Sequence, residues 1–180
     1  LQNSLFCHPS GTKDDNFGAF QVSRTAILID RGPSCHKHPI MIKASVLSLA
    51  MAKKMADAAE KKALSLSLNI AIAIMDNHGN LKYFRRMDKN GFISVRMAPL
   101  KALTSASMTE STKALAARNE QLANLSYLGI PGIALLEGGL PVITESGEHI
   151  GSIGISGATP ELDGICAAAG LLAISEDLRG

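Results

Sequence analysis

Aromatic residues are scarce. They make up 4% of the 180-residue chain, and tryptophan is absent. Stacking platforms for single-stranded nucleic acid need several exposed rings, so that class of function is excluded. A block of one charge is also missing. Eighteen Lys and Arg stand against sixteen Asp and Glu, for a formal net charge of +2. The basic residues are scattered, and no run reaches the density of a nucleic-acid or anionic-membrane patch. Cysteine is limited to Cys7, Cys35 and Cys166. An odd number at wide spacing gives neither a disulfide framework nor a CxxC zinc signature. No metal site is expected, and a reducing cytoplasm is the expected location. No apolar run approaches the ~18 residues that cross a bilayer. The first 30 residues lack the basic-then-apolar order of a secretory signal.

What is there reads as one globular domain. Apolar residues are 46% of the chain and charged residues 19%. Residues 1–40 stand apart: they are polar, turn-rich and aperiodic, with "TAILID" the one stretch able to form a short strand. They read as a leader or loose arm, foreign to the domain or swapped onto a neighbour, and the domain is expected over 41–180. From there the patterning is regular. Leu49, Ala52, Ala56, Ala59 and Ala63 recur at helical steps behind Ser48, a good N-cap, and Asp57 and Lys61 form an i,i+4 pair. "NIAIAIM" is a strand apolar on both faces, with Ile70, Ile72 and Ile74 on one and Ala71, Ala73 and Met75 on the other. "DNHGN" turns it into a return strand, "LKYFRRM". Helices are expected over 92–108 and 112–124; Pro99 either starts the first or kinks it. A second hairpin, "LPVITE" and "EHIGSIGIS", precedes a last helix from about Pro160 to about Asp177. Two hairpins and four helices predict an α+β fold: an antiparallel sheet of about five strands with helices on both faces.

Four stretches hold candidate site residues. In "EHIGSIGISGATPELDG", Gly151 and Gly154 interrupt a strand, which implies close approach of a backbone or a ligand. Gly157 suits a tight turn, Thr159 an N-cap, and Glu161 and Asp163 the first turn of a helix. Two carboxylates there and no P-loop lysine argue against a phosphate site. The turn is either a capped strand-to-helix junction or a site for a less anionic ligand held by Thr159. In "EGGLPV", Gly138 and Gly139 supply positive φ or the rim of a pocket. In "RRMD", Arg86 either pairs with Asp88 on the surface or holds a ligand carboxylate in bidentate fashion. In "PLKALTSA", Lys101 either snorkels or acts with a depressed pKa. The histidines are scattered and show no ligand spacing. Cys166, beside three alanines, reads as a small core residue.

Taken together, "IAIMDNHGNLKYFRRMD", "KALTSA", "EGGLPV" and "GEHIGSIGISGATPELD" resemble the haem-degrading domain family, which includes HbpS, GlcG and the C-terminal domain of PduO. The likeness covers about residues 42–175. It implies a profilin-like α-β-α sandwich that assembles into dimers or octamers, and haem as a possible cofactor. It implies that Thr159 and Asp163 match the "GxTPxxD" segment, with the threonine implicated in haem binding. It places Gly138, Gly139 and Pro141 in "GGxP", Arg86 in "RMD" and Lys101 in "KAxT". Some haem-binding members use a histidine near the domain's N-terminus as iron ligand. The first helix here has none and offers Met51 and Met55.

The expected function is therefore a small self-associating protein that binds haem or a related tetrapyrrole. It would be accessory to glycolate, glycerol or propanediol metabolism, without nucleic acid or membrane partners. The expected pocket lies between the Gly138–Pro141 loop and the Gly157–Asp163 turn. One competing expectation is an enzyme acting on a small hydroxy acid, aldehyde or diol intermediate. Another is a non-catalytic accessory of a cobalamin-dependent dehydratase. No catalytic constellation is recognisable from spacing.

Overall fold

The computed structural model describes residues 46–122 and 126–179. The expected leader, its boundary at residue 41 and the "TAILID" strand lie outside the described residues. Ser48 caps the first helix, α1 (Leu49–Ser65), by accepting from the Met51 N–H at 3.1 Å. Strands β1 (Ala71–Asp76) and β2 (Leu81–Arg86) form the first hairpin. The Asp76 side chain accepts from the His78 and Asn80 N–H groups, both at 2.9 Å, and Gly79 takes φ +79°. Helices α2 (Phe92–Met108) and α3 (Thr112–Gln121) follow. Strands β3 (Gly139–Ile143) and β4 (His149–Ser156) lead into α4 (Pro160–Leu172).

The sheet runs β2-β1-β4-β3, antiparallel throughout. It has four strands among the described residues, against about five expected. One face carries Ile70, Ile72, Ile74, Ile153 and Ile155, packed on Met55, Ala56, Ala59, Cys166 and Ala167 of α1 and α4. The other carries Ala71, Ala73 and Met75, packed on Ala98 and Ala102 of α2. Both faces of β1 are covered, as its doubly apolar pattern requires.

Several expectations change. Leu49 is half exposed and leaves the alanines to form the buried face of α1. Asp57 pairs with Arg85 of β2 at 2.8 Å rather than with Lys61. Helix α3 stops at Gln121, and α4 stops at Leu172 before a short 3-10 turn over Asp177–Arg179. Pro99 neither starts nor ends α2, which runs through it. Proline removes one helical hydrogen bond, and packing on two strands holds the helix together across the gap.

The strand glycines have a packing cause. A Cβ on Gly154 would collide with the Ala98 carbonyl and the Ala102 amide of α2. One on Gly151 would meet the Met75 carbonyl and, at 2.7 Å, the Leu47 side chain. Backbone approach, not a ligand, accounts for these two. The Ser152 hydroxyl then donates to the Ala102 carbonyl at 2.8 Å, fixing the helix on the strand.

Candidate functional site

The register brings one end of the sheet together. Arg86, at the end of β2, and Ser156, at the end of β4, both lie opposite Ala71. Both α2 and α4 therefore begin at this end, after Gly91 and Thr159 respectively. Gly138 leads into β3 here, and its carbonyl accepts from the Ile155 N–H at 2.9 Å.

At its centre Lys101 and Asp163 form an ion pair at 2.7 Å, with side chains 3% and 2% exposed. Lys101 projects from α2 and Asp163 from the first turn of α4. Asp163 also accepts from the N–H of Ala158, at 3.0 Å, and of Gly157. Burial pushes the Asp163 carboxyl above the ordinary carboxylate range, against the opposing pull of Lys101 and those two amides. Lys101 has three donors and, among the described residues, one acceptor.

The paired glycines close onto this ion pair. Gly138 has φ +128°, and a Cβ there would stand 2.9 Å from both the Asp163 Cβ and the Lys101 Nζ. A Cβ on Gly139 would stand 2.5 Å from the Lys101 carbonyl. Thr112, buried at the start of α3, accepts from the Gly139 N–H at 3.0 Å. Glu137 pairs with Lys113 at 3.0 Å, and its Oε1 would lie 2.5 Å from a Cβ on Gly164 of α4. The void expected between the glycine loop and the turn is therefore filled. The buried pair occupies it, because glycine backbones on both sides let Lys101 and Asp163 enter.

Gly157 has φ +154°. Its missing Cβ leaves room for the Asn69 carbonyl, the Asn90 Nδ2 at 2.7 Å and the Ile70 Cα at 2.8 Å. Thr159 caps α4 by accepting from the Leu162 N–H at 3.5 Å, and its side chain is exposed. Glu161 is held below the usual carboxylate range, first by its own N–H and then by the Thr159 hydroxyl. Helix α4 thus supplies its own anions. Arg86 is exposed and does not pair with Asp88; it donates to the Asn90 carbonyl at 2.7 Å. Pro141 lies further along the edge strand β3, opposite Ser152, where a missing N–H is tolerated.

Of the sequence-derived site residues, the structure packs Gly138, Gly139, Gly157, Lys101 and Asp163 into one junction. It leaves Thr159 and Arg86 on the surface at the same end, and sets Pro141 further from it. The residues missed by sequence reasoning are Asn90, Thr112 and Glu137. Asn90 is 4% exposed and donates to the Asn69 carbonyl at 2.8 Å and the Ser156 carbonyl at 3.5 Å. It ties the β1 and β4 ends to the approach to α2. Its one sequence signal was the Asn-Gly pair after Lys89, which marks a turn and nothing more.

The haem-degrading protein HbpS-like family model matches residues 47–172, the whole packed region from Leu47 to the end of α4. The chain belongs to the HbpS-like family. An uncharacterised 15.0 kDa protein from the dhaT-dhaS intergenic region of Citrobacter freundii is 34% identical, covering 73% of this chain and 94% of that protein. A double mutant of Streptomyces reticuli HbpS has a solved structure that is 31% identical, with a TM-score of 0.69 over 80% of this chain and 97% of that one. A solved complex of PduOC with haem is 28% identical, with a TM-score of 0.66 over 72% of this chain and 96% of that one. The α+β sandwich and its antiparallel sheet are those of this HbpS-like family.

Proposed function

We propose that this HbpS-like chain is a self-associating protein that binds a carboxylate-bearing tetrapyrrole, haem or a relative of it. The site is the sheet end where α2 and α4 begin. The observation that carries the reading is the exposure there of one hydroxyl, Thr159, and one guanidinium without a carboxylate partner, Arg86. The strands ending at Arg86 and Ser156 are two spacings apart, about 10 Å, a span suited to a flat ligand of that size. Arg86 would take a ligand carboxylate in bidentate fashion, and Thr159 would contact the ring. Lys101, Asp163, Gly138, Gly139 and Gly157 lie behind these two and hold them in place. Pro141 ends the same glycine segment. Family membership and the PduOC–haem relative support haem as the ligand.

The fit covers the periphery of such a ligand and not an iron centre. Among the described residues the histidines are His78 and His149, both at the opposite end of the sheet. Met87 is at the right end, but its sulfur accepts from the Ile70 N–H at 3.4 Å. We therefore derive no role for axial ligation by these residues.

Self-association has its own support. From Gly164 to Ala173, α4 carries no polar side chain, and a helix apolar all round belongs inside a larger assembly. Its outer residues Ile165, Ala168 and Leu172 are exposed in the single chain.

Haem titration followed at the Soret band tests the reading in oxidised and reduced protein. A saturable shift is expected, weakened about tenfold by Arg86→Gln through loss of one charged contact. Absence of any shift in both states would overturn it.

A further inference from the structure

Helix α2 begins differently from its neighbours. Ser48, Ser111 and Thr159 cap α1, α3 and α4 with side-chain oxygens. The residue in that position of α2 is Gly91, which has no side chain to offer, and the first turn holds no acid. The Ser94 N–H returns to the Gly91 carbonyl at 3.2 Å. Those of Phe92 and Ile93 have no acceptor among the described residues. An uncapped helix start with a free guanidinium beside it favours an anion. A helix start alone would not define a site. The second observation is Asn90.

The Asn90 side chain is 4% exposed, and its Oδ1 has no hydrogen-bond donor among the described residues. A buried acceptor left unpaired costs free energy, and such atoms find a partner in the functional state. Its Nδ2 is spent on Asn69 and Ser156, which fixes the amide's orientation and leaves Oδ1 as an acceptor. Arg86 is anchored on the main-chain carbonyl of the same residue. One short segment thus presents a cation, bare amide N–H groups and an orphaned acceptor. Asp88 and Lys89, both exposed, carry opposite charges and offset one another. Phe92 and Ile93 are 80% and 56% exposed and give apolar cover for a short carbon skeleton.

We propose that the start of α2 is a subsite for a small carboxylate bearing a neutral hydrogen-bond donor on the adjacent atom, a hydroxyl or an amide N–H. Arg86 and the first-turn amides take the carboxylate. Asn90 Oδ1 accepts from the donor. An ammonium in place of the neutral donor would face the Arg86 guanidinium and is disfavoured. Arg86 is held by one hydrogen bond, so it can swing to receive the ligand. The subsite deepens the reading of this sheet end as a ligand surface and rests on it.

The test is amide chemical-shift titration of the full chain with sodium lactate and, separately, sodium propionate. The pair differ by the hydroxyl alone. Lactate should move the amides of residues 90–93 and bind about tenfold more tightly than propionate, the value of one good hydrogen bond to an otherwise unpaired group. Gly91→Asp places a carboxylate where the ligand's would sit. A Cβ at Gly91 has nothing within 4 Å, so this variant folds without strain. It should abolish lactate binding, and Arg86→Gln should weaken it about tenfold. Equal affinity for lactate and propionate, shifts confined to residues 157–163, or unchanged binding in Gly91→Asp would each overturn the proposal. The haem titration is read separately on the same protein. A Soret shift without lactate binding removes the subsite and leaves the tetrapyrrole reading. Lactate binding without a Soret shift does the reverse.

Discussion

Helices α2 and α4 start at the same end of one sheet, and their first turns are built in opposite ways. The start of α4 is closed by Thr159, Glu161 and Asp163, and its inner carboxylate meets Lys101 out of contact with water. The start of α2 is open: Gly91 caps nothing, Arg86 has no acid, and Asn90 keeps an unused oxygen. Identical backbone dipoles therefore serve different ends. One is neutralised internally and locks three segments together. The other keeps its electrostatic attraction for something outside the chain.

The largest expected break in this contrast comes at the lock. Lys101→Met leaves Asp163 buried without its cation and should cost about 3–5 kcal/mol at neutral pH by urea unfolding. The double change Lys101→Met with Asp163→Leu should recover most of that loss, because burial of the pair is itself unfavourable. The pH sign follows from the raised Asp163 carboxyl. The folded state holds its proton where the unfolded state has lost it, so stability falls as pH rises from the ordinary aspartate value through the folded one. Lys101→Met pushes the carboxyl higher still. Its cost should be small near the ordinary aspartate value and grow towards neutrality, which unfolding at a series of pH values measures.

Next in size is the glycine contrast. Gly157→Ala must displace the Asn69 carbonyl and Asn90 at a strained φ, and should cost on the order of 1–3 kcal/mol. Gly91→Ala meets open space, so thermal unfolding should separate the two glycines clearly. The smallest effects are at the caps. Thr159→Ala should cost about 1 kcal/mol, while Gly91→Ser should add a few tenths, about the difference between a glycine and a serine cap.

How much of this was legible in the sequence depends on the reach of each interaction. The faces of β1, the Ser48 and Thr159 caps and the Gly79 turn are set within a few residues, and period and composition report them. The stop of α3 at Gln121 and the passage of α2 through Pro99 depend on packing against distant strands. Gly154 shows the limit well. Its position in a strand signalled close approach, but only the fold shows that α2, and not a ligand, is what approaches. Lys101 and Asp163 stood out as candidates, yet their 62-residue separation hid the pairing that fills the expected pocket. Asn90 carried no signal beyond a turn.

Hydrogen exchange of the full chain with and without haem tests most directly the claim that ligand is received where α2 and α4 begin. The account predicts slowed exchange in peptides covering 84–93 and 157–163, with little change at 76–81 and 144–149 on the opposite end. Protection confined to that opposite end, or to the outer faces of α1 and α4, would contradict it.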